Sequence, residues 1–184
     1  MNYNTSIPTS RVTDVQGNAY KTIKIGNQWW MAENMRSSRY ADDTDLVDGE
    51  SAGDIKNDFA TKYHFPADNN RANIPDYGYL YTWAAAMNGS TELGAQGVCP
   101  DGWHVPTDLE LKELEQALGM AVNALDSSGY RGPGIGGLLK EVGFFSWLDP
   151  NLGGNNSVGF RGIPGGIRNP DGTYTGFGTE FGIW

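Results

Sequence analysis

"VCPDGWHVPTDLELKELEQALG", residues 98–119, places the chain's only cysteine, Cys99, beside Pro100, Trp103 and His104, just ahead of an acidic amphipathic run. Three chemistries compete for this stretch: a reactive centre, part of a metal site, or the rigid approach to a helix. Its local pattern favours the third. Thr107 and Glu110 stand at capping-box spacing: the hydroxyl can accept from the N3 amide while the carboxylate returns to the N-cap amide. Leu111, Leu114 and Leu118 follow on one helical face, Glu113, Glu115 and Gln116 face outward, and Gly119 supplies the stop. Pro106 fixes the direction from which the chain arrives.

The chemical alternatives are weaker. A thiol nucleophile needs a base held close and a lowered pKa, whereas a Pro-Asp-Gly turn separates Cys99 from His104 and no Lys or Arg lies nearby in sequence. His104 is expected to hydrogen-bond the backbone where the helix begins. A structural zinc site uses about four Cys or His ligands, and the chain offers one Cys and two His. The second histidine, His64, reads as part of an aromatic surface turn. The glycine cluster 132–137, "GPGIGG", lacks the Lys-Ser/Thr of a phosphate loop. Nothing singles out a catalytic pair among the 22 acids.

Composition narrows the fold. The 26 glycines, 6 Trp, 9 Tyr and 7 Phe among 184 residues suit short strands joined by many turns, with large rings filling the core. Residues 1–11 read as a polar lead-in and 12–184 as one domain. Residues 12–34 read as a β-meander, in which Ile23 and Ile25 share one face, Tyr20 and Thr22 the other, and Trp29 and Trp30 point to opposite sides. Residues 37–76 collect Asp42, Asp43, Asp45, Asp48, Asp54 and Asp58 in long surface loops whose spacing does not match a calcium-binding EF-hand. The pattern predicts a helix over 76–89, a short helical piece over 136–143, a hairpin over 159–178 turning at "NPDG", and a strand in "EFGIW".

The formal net charge is −9 with no basic cluster, so neither a nucleic-acid partner nor an anionic membrane surface is expected. No run approaches the roughly 20 apolar residues that span a bilayer, so no membrane insertion is expected, and any export signal would lie outside this sequence. What remains is binding. Aromatic rings beside Asn, Asp and Gly in long loops can stack on sugars or proteins, while amides and carboxylates hold hydroxyls or a calcium ion. The loop "DPNLGGNNSVGF", 149–160, is one such surface. Asp149, Asn155, Asn156 and Trp184 are the candidate ligand-binding residues. No catalytic residue and no obligatory cofactor are expected, calcium being the one ion this chemistry would take.

Several ordered blocks, "DVQGNAYKTIKIGNQWWMAENM", "YGYLYTW", "GVCPDGWHVPTDLELKELEQALG", "GGLLKE" and "SVGFRGIPGGIRNPDGTYTGFG", resemble the Fibrobacter succinogenes major paralogous domain. That family is abundant in exported proteins and lipoproteins of Bacteroidetes-type bacteria. It is similar in turn to the C-type lectin-like fold and to formylglycine-generating enzymes, whose helix-opening phrase "GWHVPTDLEL" resembles. The resemblance implies an α+β domain of two helices packed on small twisted antiparallel sheets, with binding carried by long irregular loops. It implies an extracellular or cell-surface binding module for a glycan or protein. A structural module of a larger adhesin or filament, completed by a strand-donating neighbour chain, is the alternative. A formylglycine-generating-type enzyme is the third reading, although such enzymes need cysteines beyond Cys99. Family members continue into a last strand carrying a cysteine, so the resemblance implies that Cys99 would pair with it and that this sequence lacks that strand.

Overall fold

A computed structural model describes residues 7–129 and 131–183. It opens with the expected meander: β1 (Thr9–Thr13), β2 (Ala19–Ile25) and β3 (Gln28–Met31) form an antiparallel sheet in that order. Asp14 shapes the first turn. Its Oδ1 accepts from the amides of Gln16 at 3.0 Å and Asn18 at 2.9 Å, and its Oδ2 from the Tyr20 hydroxyl at 2.6 Å. This carboxylate-centred turn satisfies backbone donors within the segment 14–18 that joins the paired residues Thr13 and Ala19. Trp30 is buried while Trp29 is 43% exposed, as the alternation of a strand requires.

The buried faces of β2 and β3 contribute Ile23, Ile25 and Trp30 to the larger core, and Ala32 joins them just past the end of β3. Leu114 comes from α3 (Asp108–Ala117) and Leu118 caps its C-terminus, Leu139 comes from α4 (Ile135–Leu139), and Phe160 joins them. The capping box is present: Thr107 Oγ1 accepts from the Glu110 amide at 3.3 Å, and Glu110 Oε2 accepts from the Thr107 amide at 2.8 Å. Removing such a cap costs about 1 kcal/mol, so most of the hold on this ten-residue helix comes from its buried leucines. Glu115, expected to face water, instead takes the Arg131 guanidinium at 3.0 and 2.9 Å.

A second sheet joins β4 (Val47–Asp48), β5 (Tyr63–Pro66) and β6 (Tyr79–Tyr81). β4 runs parallel to β5 and β6 antiparallel to it, so the sheets are not wholly antiparallel. The helix expected over 76–89 is divided. A four-residue helix, α1 (Ile74–Tyr77), stops at Gly78 with φ 67°, the chain then pairs as β6, and α2 (Trp83–Ala86) resumes for one turn. The cause is tertiary: the Tyr79 amide donates to Met35 O at 2.8 Å, and Leu80 pairs with Phe65. Packing of this kind overrides a propensity worth tenths of a kcal/mol per residue. His64, expected in a surface turn, lies in β5 and is buried, its ring 4.4 Å from that of Tyr79. Tyr40, Leu46, Tyr81, Ala85, Ala86 and Val98 form the smaller core beneath this sheet.

The last sheet is the expected hairpin of β7 (Ile167–Arg168) and β8 (Tyr174–Thr175). Arg168 locks it to the acidic loops, donating to Ala52 O at 2.5 Å and Gly53 O at 2.8 Å while covering the Phe65 ring at 4.1 Å. Residues 180–183 are not the expected strand. Phe181 turns inward and meets Trp147 edge to face, with centroids 6.0 Å apart, and burial of such a ring outweighs two-residue pairing at a sheet edge. The whole is α+β with small sheets, but α3 is the only helix of ten residues among those described, where two substantial helices were expected.

Candidate functional site

The loop between α4 and the hairpin is irregular and firmly pinned. Its stem closes where the Glu141 amide donates to Gly162 O at 3.1 Å and the Gly162 amide to Leu139 O at 2.7 Å. Trp147 is buried inside it, its Nε1 donating to the same Gly162 carbonyl at 3.0 Å and its ring lying 3.9 Å from Lys140 Nζ. The Leu148 amide reaches Gly178 O at 2.8 Å and the Asn155 amide reaches Gly137 O at 3.0 Å. Gly137 has no alternative here: a β-carbon would stand 2.2 Å from Gly153 O. The loop backbone therefore rests directly on α4.

Asn151 and Glu141 brace the interior. Asn151 Nδ2 donates to Glu141 O at 2.7 Å and to Gly143 O at 2.9 Å, tying the two ends of the 143–151 bend. Glu141, 8% exposed, receives Arg161 Nε on Oε1 at 2.8 Å. Arg161 takes a left-handed φ of 59°, and its amide donates to Asn156 Oδ1 at 2.8 Å. Glu141 Oε2 and Asn151 Oδ1 are buried acceptors without a hydrogen-bond partner in the protein. A buried acceptor left in this way costs about 1–3 kcal/mol, which the packing around the brace must offset.

Outside this brace the loop is apolar. Val142, Phe144, Phe145, Leu148 and Leu152 are 58, 64, 80, 61 and 77% exposed. Single exposed apolar residues are ordinary, but a run of them on one loop is not. Asp149 and Asn155 stand exposed in the same loop. Asn155 Oδ1 accepts from the Ser157 amide at 3.0 Å, and half-buried Asn156 is occupied with Arg161. The structure thus brings Asp149, Asn155 and Asn156 to one loop, with Asn156 spent on support. Trp184 lies outside the described residues. Sequence reasoning missed Phe144, Phe145, Leu152 and the Glu141–Asn151–Arg161 brace. The available signal was "GFFSWL", an apolar run without helix or strand period.

Two other places carry polar chemistry. An open cleft of about 340 Å³ is lined by Asp48, Glu50, Ser51 and Arg71, with Arg71 paired to both carboxylates. Burial pushes the neighbouring His64 imidazole below its ordinary pKa, with Asp48 opposing and Arg71 adding, and its Nδ1 has no partner. Around Cys99, burial pushes the thiol up to about 12, so a thiolate is disfavoured at neutral pH. His104 is engaged with Glu110: Nε2 lies 2.8 Å from Glu110 Oε1, a side-chain partner where a backbone one was expected. Although burial alone would raise it, the hydrogen bonds from Thr107 and His104 hold the Glu110 carboxyl below its usual range. Among the described residues no group of three or more His, Cys, Asp or Glu is placed to hold a metal ion, and no helix is long and apolar enough to cross a membrane.

Compared with known proteins, residues 23–184 match the family model described as the Fibrobacter succinogenes major domain. No curated protein and no solved structure matches the chain.

Proposed function

This chain belongs to the Fibrobacter succinogenes major domain family, and from that premise we propose that it is a non-enzymatic binding module with a C-type lectin-like arrangement, exported or displayed at a cell surface. Its ligand, a protein or a glycan, docks on the loop running from Glu141 to Ser157. One observation carries the reading: a loop pinned by Trp147, Asn151 and Glu141–Arg161 holds Phe144, Phe145, Leu148 and Leu152 in water. Loop ordering normally opposes association by about 0.5–1.5 kcal/mol for each immobilised side chain. Here the backbone is ordered before any partner arrives, so more of the apolar contact remains as affinity. Asp149 and Asn155 supply exposed polar partners at its edge. The half-buried Cys99 thiol, its pKa pushed up by burial, supports a bracing role for that residue and speaks against thiol catalysis.

The test compares wild type with the double variant F144S/F145S on a glycan array and on a surface carrying immobilised chain. The reading expects wild type to bind one of the two and the variant to lose at least tenfold in signal, with its melting temperature kept within a few degrees. Equal binding by both proteins, or no binding to either surface, contradicts it. Glycan binding abolished by a chelator would assign calcium to the site.

A further inference from the structure

We propose that the partner taken by the apolar face of this loop is a second copy of the chain, in a two-fold symmetric dimer; the inference rests on the reading of the loop as a binding surface. Its first support is area. With roughly 200 Å² for a whole phenylalanine side chain and somewhat less for leucine and valine, the exposed fractions of Val142, Phe144, Phe145, Leu148 and Leu152 leave on the order of 650 Å² of apolar surface in water. A stable pairing of standard size uses about 800 Å² from each partner. With its polar margin the loop offers the area for one half of such an interface, and its summed apolar exposure stands at the upper end of what the largest patch of an ordinary monomer shows, about 300–600 Å². A glycan would cover only a fraction of it.

The second support is charge. A two-fold interface sets a surface against itself, so a face of one sign would repel its copy. Here the net charge of −9 belongs to the chain as a whole, while this loop carries both signs. Lys140 and Arg161 stand with Glu141 and Asp149, and Glu141–Arg161 is already paired at 2.8 Å. Lys140 lies 3.9 Å from the Trp147 ring and donates to Leu152 O at 3.4 Å, with no ion pair among the described residues, and Asp149 is exposed. Two copies can thus meet with Lys140 of one facing the Asp149 of its partner, around a centre made by the Phe144–Phe145 tip. Two molecules of net charge −9 repel at long range, and salt screens that repulsion over about 8 Å at 0.15 M, an effect that outweighs its weakening of two exposed Lys–Asp contacts worth at most about 1 kcal/mol each. Association should accordingly tighten with added salt.

Sedimentation velocity on the whole chain, over a concentration series around an expected Kd of roughly 10 µM, tests this. The inference expects a monomer–dimer equilibrium that shifts toward dimer as sodium chloride is raised, and at least a tenfold weaker dimer for F145S with an unchanged melting temperature. A control variant, F59S, alters a side chain that is 85% exposed but lies far along the sequence, and should leave the equilibrium as it is. If F145S lost stability, L152S would replace it with the same expectation. A monomer throughout the series overturns the inference, as does a dimer indifferent to F145S and L152S. If the chain stays monomeric yet shows loop-dependent glycan binding, the dimer fails and the reading of the loop stands. If the loop variants change neither, both fail.

Discussion

Replacing Gly97 by alanine should cost about 3 kcal/mol or more, a large part of the 5–15 kcal/mol that holds a domain folded. Gly97 has φ +56°, and a β-carbon there would stand 1.9 Å from the carbonyl oxygen of Ala86 and 3.1 Å from Val105 Cγ2. That carbonyl is fixed, because it accepts the Val98 amide at 2.9 Å while Val98 and Ala86 both pack in the smaller core. The left-handed conformation alone is worth about 1 kcal/mol; the remainder is backbone that must move against a packed cluster. Gly102 provides the comparison. Its φ is +79° and nothing lies within 4 Å of its would-be β-carbon, so G102A should lose only about 1 kcal/mol. Urea unfolding of the two variants separates the terms. Similar losses at both sites would mean that the segment ahead of α3 is not seated on α2 as described.

Asp14→Ala should cost about 3 kcal/mol. The residue is 8% exposed and serves the amides of Gln16 and Asn18, the Asn18 side-chain amide at 2.9 Å and the Tyr20 hydroxyl. Hydrogen bonds to a charged group contribute about 1.5–3 kcal/mol, and of the donors left behind the Tyr20 hydroxyl is buried away from water. Tyr20 is fully buried; burial and its bond to Asp14 together push its hydroxyl pKa far upward. That hydroxyl also accepts the Arg36 amide at 3.1 Å, linking the meander to the chain that follows β3. Tyr20→Phe alone should cost about 1–2 kcal/mol. The double variant should lose clearly less than the sum of the single losses, since each partner's removal already strands the other. Strict additivity in thermal or urea unfolding would show that Asp14 and Tyr20 act independently.

The parts legible in the sequence are those governed by local chemistry. Gln16-Gly17-Asn18 announces a turn, Ile23 and Ile25 alternate, Thr107 and Glu110 cap, and Asn169 to Gly172 turn the hairpin, each within a few residues. The misread parts answer to distant partners. Ala84 to Ala86 pulled the reading of 76–89 toward helix, while the Met35 carbonyl and the edge of β5 drew Tyr79–Tyr81 into a strand. His64 looked exposed because its neighbours are polar and aromatic, yet Tyr79 and Tyr81 cover it from across the sheet. The site divides in the same way. Asp149 and Asn155 were visible as loop polar residues. The role of Asn151 depends on carbonyls at Glu141 and Gly143, and that of Glu141 on Arg161, none of which leaves a periodic trace.

Binding through this loop depends on its being ordered before any partner arrives. Native-state amide exchange tests this at single residues. The amides of Glu141, Leu148, Asn155 and Gly162, which donate to Gly162, Gly178, Gly137 and Leu139, should be protected to within about 1–2 kcal/mol of global unfolding, despite lying in or beside a segment with neither helix nor strand around the Phe144–Phe145 tip. Exchange of these four at the rate of an unstructured peptide, with α3 still protected, would contradict it.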